Sequence, residues 1–404
     1  MLQRLIHSAR VNVFESAQFY YWVLVVLTSY FLLNRFLQKL SYVYLDDSWT
    51  QLKVGEGVLF GLAYVIILIS AWFLKKKIPG YVFWCWGGLV LLFFINEFRF
   101  AWGHPDYSLV KSLTKTQGYY TAKLTMPLLF WGVWSVLKNA NYYGVVFVNQ
   151  LLIFLTINAI FIIVGALFNV SLFESYPLSG RWGYNGLLFH NSMSNILYGL
   201  LLIFLFETNR KKGLLIFIFS LSLLFLGQKA GLFYLALIVC FVWIKNKTLQ
   251  VGFLGLGGIL LSTVQYWVPF IVQYNLFWRN VYEKHGSWGV FFSLRNENIQ
   301  KIFSQANNMN VLDFFIGGTS RFPMRVEMMP FDIFLFFGFL GLLIIMVFFW
   351  SWSAKLYWYI PMIVASFSGG IYEVPFAMMF YIIIFFLGLN TKATMSLYEN
   401  SHSE

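Results

Sequence analysis

Apolar residues in this chain run in long blocks, with polar positions gathered between them rather than alternating with them. A transmembrane helix needs about 20 apolar residues to cross roughly 30 Å of hydrocarbon. Blocks of that kind lie at about 17–34, 55–74, 79–97, 125–138, 144–168, 187–206, 213–227, 230–244, 250–270, 331–350, 356–370 and 372–390. The pattern predicts an all-α polytopic membrane protein with about twelve spans, one membrane domain over 1–404. Three connections on one side are long: 98–124, 169–187 and 271–330. The last, between the ninth and tenth spans, is the largest, and long loops on one face commonly carry function. Within it, Ile299, Ile302 and Phe303 share a face at helical spacing. They predict a short amphipathic helix on the membrane surface or over a cavity.

Composition supports lipid as the main solvent. The 404 residues are 59% hydrophobic and 11% charged, whereas soluble proteins carry about 25% charged residues. Too few charged side chains exist to cover a soluble globule, and disorder would need low hydrophobicity. The net charge of +12 would suggest nucleic acid in a soluble protein. Here it fits loops facing the cytoplasm and anionic headgroups. With both termini inside, thirteen basic and four acidic residues fall on the inner side, and the inverted topology reverses that bias. The basic N-terminal segment leads into a first span with no small-residue cleavage site, so a retained span is expected rather than a signal peptide. Cys85 and Cys240 lie inside apolar runs and read as core residues, not as a disulfide or a metal site.

Arginine is concentrated outside. Seven of the ten arginines lie there: Arg35, Arg99, Arg181, Arg279, Arg295, Arg321 and Arg325. The planar guanidinium fork suits bidentate binding of phosphate or carboxylate, so an anionic ligand on that face is expected; salt bridges to outer acidic residues are the alternative. Three constellations follow. Ser179-Gly-Arg-Trp-Gly-Tyr-Asn-Gly-Leu-Leu-Phe-His-Asn191 sets Arg181 among glycines that permit close backbone approach and brings His190 and Asn191 to the membrane surface. An interfacial, backbone-bonded histidine is the plainer account of His190. Leu226-Gly-Gln-Lys-Ala-Gly-Leu232 holds Lys229 in a tight outer turn, either snorkelling or facing a cavity. The large loop carries Arg295, Asp313-Phe-Phe-Ile-Gly-Gly318, Arg321, Arg325 and Glu327-Met-Met-Pro-Phe-Asp332. Glu327 is a candidate general base beside arginines, or one half of a surface pair with Arg325. Asp332 follows Pro330 in the first turn of a helix, where the helix dipole is sufficient explanation. Gly252-x-x-Gly-x-Gly-Gly258 and Gly338-x-x-Gly341 read as small residues at helix–helix contacts. Trp182, Tyr184, Trp278 and Trp288 can stack on sugars or anchor at the interface. No motif for a metal or a nucleophilic triad is present in the sequence.

Together these features resemble the Wzy-type polysaccharide polymerases and the related O-antigen ligases. Gln228-Lys229-Ala230-Gly231 looks like the short basic turn between that family's seventh and eighth spans. Gly183-Tyr-Asn-Gly-Leu-Leu-Phe-His-Asn191 is similar to its glycine-rich segment before the sixth span. Arg295 and Phe315-Ile-Gly-Gly-Thr319 match its large periplasmic loop. The ligases carry a His-Asn pair eleven residues before a Gly-x-x-Gly; here that position is Glu327-Met328, which favours the polymerases.

The resemblance implies a GT-C-like glycosyltransferase bundle in the bacterial inner membrane. It would join oligosaccharide repeats linked to undecaprenyl diphosphate on the periplasmic face. Arg181, Lys229, Arg295 and Arg321, with Arg325 in reserve, would stabilise the leaving diphosphate. His190 and Asn191 would contribute to the same substrate site. Glu327, with Asp332 second, would take the proton of the acceptor hydroxyl. Neither a metal nor another cofactor is expected, and nucleic acid is not an expected partner. The expected partners are the lipid-linked donor and acceptor, membrane lipids, a chain-length regulator and a flippase. The alternatives are an O-antigen ligase and a polysaccharide flippase or transporter.

Overall fold

In a computed structural model of the chain, the described residues are 13–44, 56–103, 107–176, 181–188, 191–208, 213–306, 310–317, 326–352, 354–368 and 375–390. The structure is 85% helical, with no strand among these residues. In chain order the α-helices are α1 Ala17–Tyr44, α2 Glu56–Phe73, α3 Gly80–Gly103, α4 Tyr107–Val136, α5 Ala140–Phe168, α6 Asn191–Glu207, α7 Gly213–Phe225 and α8 Lys229–Ile238. They continue as α9 Lys247–Ser262, α10 Val264–Val272, α11 Leu276–Phe292, α12 Arg295–Ala306, α13 Val311–Ile316, α14 Met329–Trp350, α15 Ile360–Ser368 and α16 Pro375–Leu389. Apolar blocks fold this way because a backbone amide in hydrocarbon finds no water and must be satisfied within its own segment.

Two helices form the centre. In α16 every residue from Ala377 to Phe385 is at most 1% exposed, and in α6 Leu200 to Leu205 are fully buried. Both are apolar all round, as a helix enclosed by other helices must be. Around them pack α1, α4, α5, α7, α8 and α15. The outer helices instead turn large apolar side chains outward, among them Trp22, Val58, Trp84, Phe98, Trp102, Phe168 and Phe217. In water such a surface would drive aggregation; it suits lipid. The fold is that of an all-α, membrane-embedded protein.

The helices depart from the expected span pattern. Four described helices are long and apolar enough to cross a membrane: Ala17–Ser41, Gly80–Trp102, Ala140–Phe168 and Met329–Trp350. Six more apolar helices are shorter, between 10 and 17 residues. The expected span at 250–270 is broken: α9 and α10 meet at an angle of 73°. Thr263 at the break leaves the helical region (φ −100°, ψ 13°), and its hydroxyl donates to Ile259 O at 2.7 Å. A side chain inserted into the helical ladder is a recognised cause of such bends. The expected loop at 98–124 is mostly helix, because α3 continues to Gly103 and α4 starts at Tyr107. The 271–330 connection is also largely helical: α10 and α11 pack around Val264, Val268, Val272 and Val290 as a small core of their own. The amphipathic stretch at 296–303 falls within α12, with Ile302 buried against Val326, Met328 and Leu335.

Of the two glycine patterns, only the second lies at a helix–helix contact: Gly338 sits against Phe315 of α13, and Gly341 faces Leu89 of α3. A Cβ on Gly252, Gly255, Gly257 or Gly258 would meet nothing within 4 Å, so that stripe faces away from the bundle. Gly338 has φ 64° and kinks α14. It sits against Gly317, whose own φ is 73° and whose Cβ would come within 2.5 Å of Gly338 N. The kink is held from α3, where Asn96 Nδ2 donates to Ile316 O at 2.7 Å and Phe336 O at 3.1 Å. Arg99 pairs there with Asp313 at 2.8 Å.

The 29 residues of α5 separate two ends of the bundle by about 43 Å at 1.5 Å per residue. At its first end Glu15 pairs with Lys77 at 2.7 Å and Lys138 at 3.2 Å. These two ammonium groups hold the Glu15 carboxyl below the usual carboxylate range. The other end carries the glycine-rich segment and the cationic side chains described next.

Candidate functional site: a cation cluster around Trp278

The site is built on two interlocked backbone turns. Gly183 (φ 148°) and Gly227 (φ 66°) both adopt conformations that favour glycine. They lie so close that a Cβ on Gly227 would strike Trp182 O, and one on Gly183 would strike Leu226 O. Hydrogen bonds then stitch the segments together: Tyr184 N to Phe225 O at 2.7 Å, Ser175 N to Gly183 O at 2.7 Å, and Ser175 Oγ to Leu226 O at 3.1 Å. This contact brings Arg181 beside the turn that carries Lys229.

The glycine-rich segment is also clamped from the core. Lys39 of α1, fully buried, donates to Asn185 Oδ1 at 2.5 Å and Gly186 O at 2.7 Å. Asn158 of α5, also fully buried, donates to Asn185 O at 3.3 Å and accepts from Leu187 N at 2.7 Å. These two clamps are functional candidates that the sequence reading passed over. For Asn158 the signal was an amide inside the long apolar run 144–168; Lys39, among Asn34, Arg35, Gln38 and Ser41, gave none.

Three cations converge at this end. Lys229 Nζ donates to Val290 O, to Phe291 O at 3.2 Å and to Ser293 Oγ at 3.0 Å. It lies 4.0 Å from the centroid of Trp278. Arg181 lies 4.9 Å from the same ring, 4.0 Å from Tyr176 and 5.0 Å from Phe277. Trp278 thus sits between two cations, an arrangement its π-face stabilises. Arg295, at the first residue of α12, donates through Nη2 to Glu327 Oε2 at 3.1 Å and to Ser368 O at 3.3 Å. Lys229 and Arg295 reach the same turn, Lys229 through Phe291 O and Ser293 Oγ and Arg295 through Phe292 O at 3.4 Å. Like charges held together oppose one another, so the cluster would gain from an anion.

The backbone beside these cations is strained. Five non-glycine residues among those described have positive φ, and three of them are here: Ser293 (53°), Leu294 (68°) and Glu327 (59°). Such conformations cost of order 1–3 kcal/mol each and cluster at functional sites. Ser293 presents its hydroxyl to Lys229, and Glu327 turns its carboxylate to Arg295.

Of the residues expected from the sequence, Arg181, Lys229, Arg295 and Glu327 are brought together. The partner of Glu327 is Arg295, and its side chain is 57% exposed. Asp332 lies apart in role: 7% exposed in the first turn of α14, it accepts the Val326 N–H at 2.9 Å and holds the entry to that helix. Asn191 is the first residue of α6, its side chain outside the description. Arg321, Arg325 and His190 lie outside the described residues. Trp278, one of four aromatics noted for sugar stacking, is the one placed between two cations; Trp182 packs edge-on against Tyr184 and Phe225. Trp288 stacks on Phe292.

Beneath the cluster is a small cleft between α6, α8 and α15, lined by Asn195, Gln228, Tyr234 and Ser368 among others. Among the described residues no group of three or more His, Cys, Asp or Glu is arranged to hold a metal ion. No protein-family model, curated protein or solved structure matches this chain.

Proposed function

We propose that this protein is a membrane glycosyltransferase that polymerises oligosaccharide repeats linked to undecaprenyl diphosphate, acting at the outer face of the bacterial inner membrane. One observation carries the reading. Arg181, Lys229 and Arg295 come from separate segments, far apart in sequence, and meet at one end of an apolar bundle: Arg181 and Lys229 share the Trp278 ring, and Lys229 and Arg295 share the turn at 291–293. Three like charges gathered at a membrane boundary suit a ligand bearing concentrated negative charge on a lipid, and a polyprenyl diphosphate is such a ligand.

In this reading the growing chain is the donor. Its sugar–phosphate bond breaks, the leaving diphosphate keeps the electron pair, and the three cations stabilise the developing charge. The acceptor hydroxyl attacks the freed anomeric carbon and gives its proton to Glu327, the exposed carboxylate beside Arg295. Without ligand, Lys229 donates to carbonyls and a hydroxyl, Arg181 lies on aromatic rings, and Arg295 pairs with the exposed Glu327 carboxylate. A diphosphate offers several anionic oxygens that can accept from all three cations at once, bidentately from the guanidinium groups, and so can displace those partners. The pairing of Glu15 with Lys77 and Lys138 at the opposite end agrees with a cytoplasmic placement of that end. The twelve-span organisation and cytoplasmic termini belong to this proposal.

The test is elongation of lipid-linked repeats by the purified protein in liposomes with no ion gradient. Arg295→Ala is expected to lower the rate 10²–10³-fold, the usual effect of losing one donor to a developing anion. Unjoined single repeats should accumulate in cells. Normal chain ladders from this variant, or wild-type dependence on a gradient, would overturn the proposal. The second outcome would favour a transporter.

A further inference from the structure

The cleft beneath the cation cluster differs from it in chemistry. Its lining has no charged side chain, and Ile196, Pro361 and Val364 form apolar walls. Three polar atoms in it lack a hydrogen-bond partner: Asn195 Oδ1, Gln228 Nε2 and Tyr234 OH. Tyr234 is 1% exposed and Asn195 2%. Buried polar atoms are normally paired, and each one left unpaired is destabilising. The cost is incurred at one place, by residues from α6, from the turn before α8 and from α8 itself.

The three atoms specify a ligand class. Asn195 Nδ2 donates to Gln228 Oε1, which leaves one amide acceptor and one amide donor unpaired on two residues that line the cleft. Turning both amides over would still leave one of each, so the pairing does not depend on how the amide atoms are assigned. A hydroxyl both donates and accepts and matches this pair, with Tyr234 OH as a third partner. A phosphate only accepts, and the amide oxygen would repel it. The cleft is small and takes the edge of a ring, such as a hydroxyl or hydroxymethyl group, not a whole sugar. Its position is fixed by chain continuity: Gln228 precedes Lys229, and Ser368, which also lines the cleft, accepts from Arg295.

We propose that this cleft is a neutral sugar-hydroxyl subsite that seats the first sugar of the donor while the adjacent cations hold its diphosphate. The inference rests on the diphosphate reading of the cluster given above. Asn195, Gln228 and Tyr234 are then specificity-determining residues: they distinguish a sugar-bearing lipid from the bare carrier.

The test compares two ligands on the full-length protein in nanodiscs. One is undecaprenyl diphosphate with no sugar; the other is the lipid-linked repeat extracted from cells lacking this protein. Wild type should bind both, the repeat more tightly. Tyr234→Phe should weaken the repeat about tenfold, near the worth of one hydrogen bond, and leave the bare lipid unchanged. Because the variant removes an unpaired buried hydroxyl, its thermal midpoint should hold or rise. Gln228→Leu should give the same split between ligands. Equal loss for both ligands would overturn the subsite. So would a lowered midpoint with unchanged preference, which marks a structural water. Failure of wild type to bind the bare lipid would overturn the diphosphate reading itself, and this inference with it.

Discussion

Glu327→Gln separates binding from chemistry at the proposed site, because the two should move in opposite directions. The carboxylate is 3.1 Å from Arg295 Nη2 and 57% exposed. An ion pair that exposed is worth at most about 1 kcal/mol after solvent screening. Replacing it with a neutral amide removes a competitor for the guanidinium while keeping the side chain's size. Diphosphate affinity should therefore rise, by no more than about fivefold, the equivalent of that energy. The same change removes the proton acceptor. Loss of a positioned general base costs about 10²–10⁴ in rate. The assay pairs equilibrium binding of undecaprenyl diphosphate with single-turnover elongation in liposomes. Tighter or equal binding with elongation reduced at least a hundredfold fits the account. Normal elongation would refute the base assignment. Weaker binding would show that the Glu327 contact organises the site rather than competes within it.

Gly227→Ala forces a Cβ into a left-handed position against Trp182 O. The conformation alone costs about 1–2 kcal/mol, so thermal unfolding should occur several degrees lower and elongation should fall as Arg181 and Lys229 separate. Lys39→Met leaves Asn185 Oδ1 and Gly186 O without their buried donor; bonds to a charged group are worth about 1.5–3 kcal/mol, and faster hydrogen exchange in 183–187 would report the loss. Glu15 titrates below the usual carboxylate range because Lys77 and Lys138 favour its charged form. Its contribution to stability is therefore complete at neutral pH and is lost as pH falls past the ordinary carboxylate value and through the lowered one. Thermal midpoints across that window should fall less steeply in Glu15→Gln than in wild type; parallel profiles would contradict the assignment.

Much of the architecture was legible because the apolar blocks are long. The uninterrupted runs at 144–168 and 331–350 became α5 and α14 with nearly the expected limits. The run at 250–270 misled because hydropathy does not register a bend: the break at Thr263 depends on one backbone conformation and one hydroxyl. The loop at 98–124 read as irregular from its polarity, yet residues such as Leu, Lys, Ala and Gln form helices well. Glycine patterns were the least decisive. Gly338 and Gly341 do lie at helix contacts, as their spacing suggests, but the positive φ at Gly338, set against Gly317 21 residues earlier, is a feature no local pattern encodes.

For the candidate site, residue chemistry was more legible than partnership. Glycine-rich turns marked Arg181 and Lys229, and the large loop marked Arg295, but nothing in the sequence joins Arg181 and Lys229 to one tryptophan. Glu327 was expected beside Arg325 by proximity along the chain, and in the fold it faces Arg295 at a distance of 32 residues. Asn195 was hidden among the polar residues that open α6, Asn191, Ser192 and Ser194, and Tyr234 because a tyrosine in an apolar helix reads as packing. Only the packing of α6, α8 and α15 turns them toward the same space.

The central claim is that three cations from three segments share one anionic ligand. The most direct measurement is a cryo-electron microscopy map of the protein in nanodiscs with undecaprenyl diphosphate. The account predicts phosphate density within hydrogen-bonding distance of Arg181, Lys229 and Arg295 together, beside the Trp278 ring. Diphosphate density at another place, with those three side chains still bound to their carbonyls and rings, would contradict it.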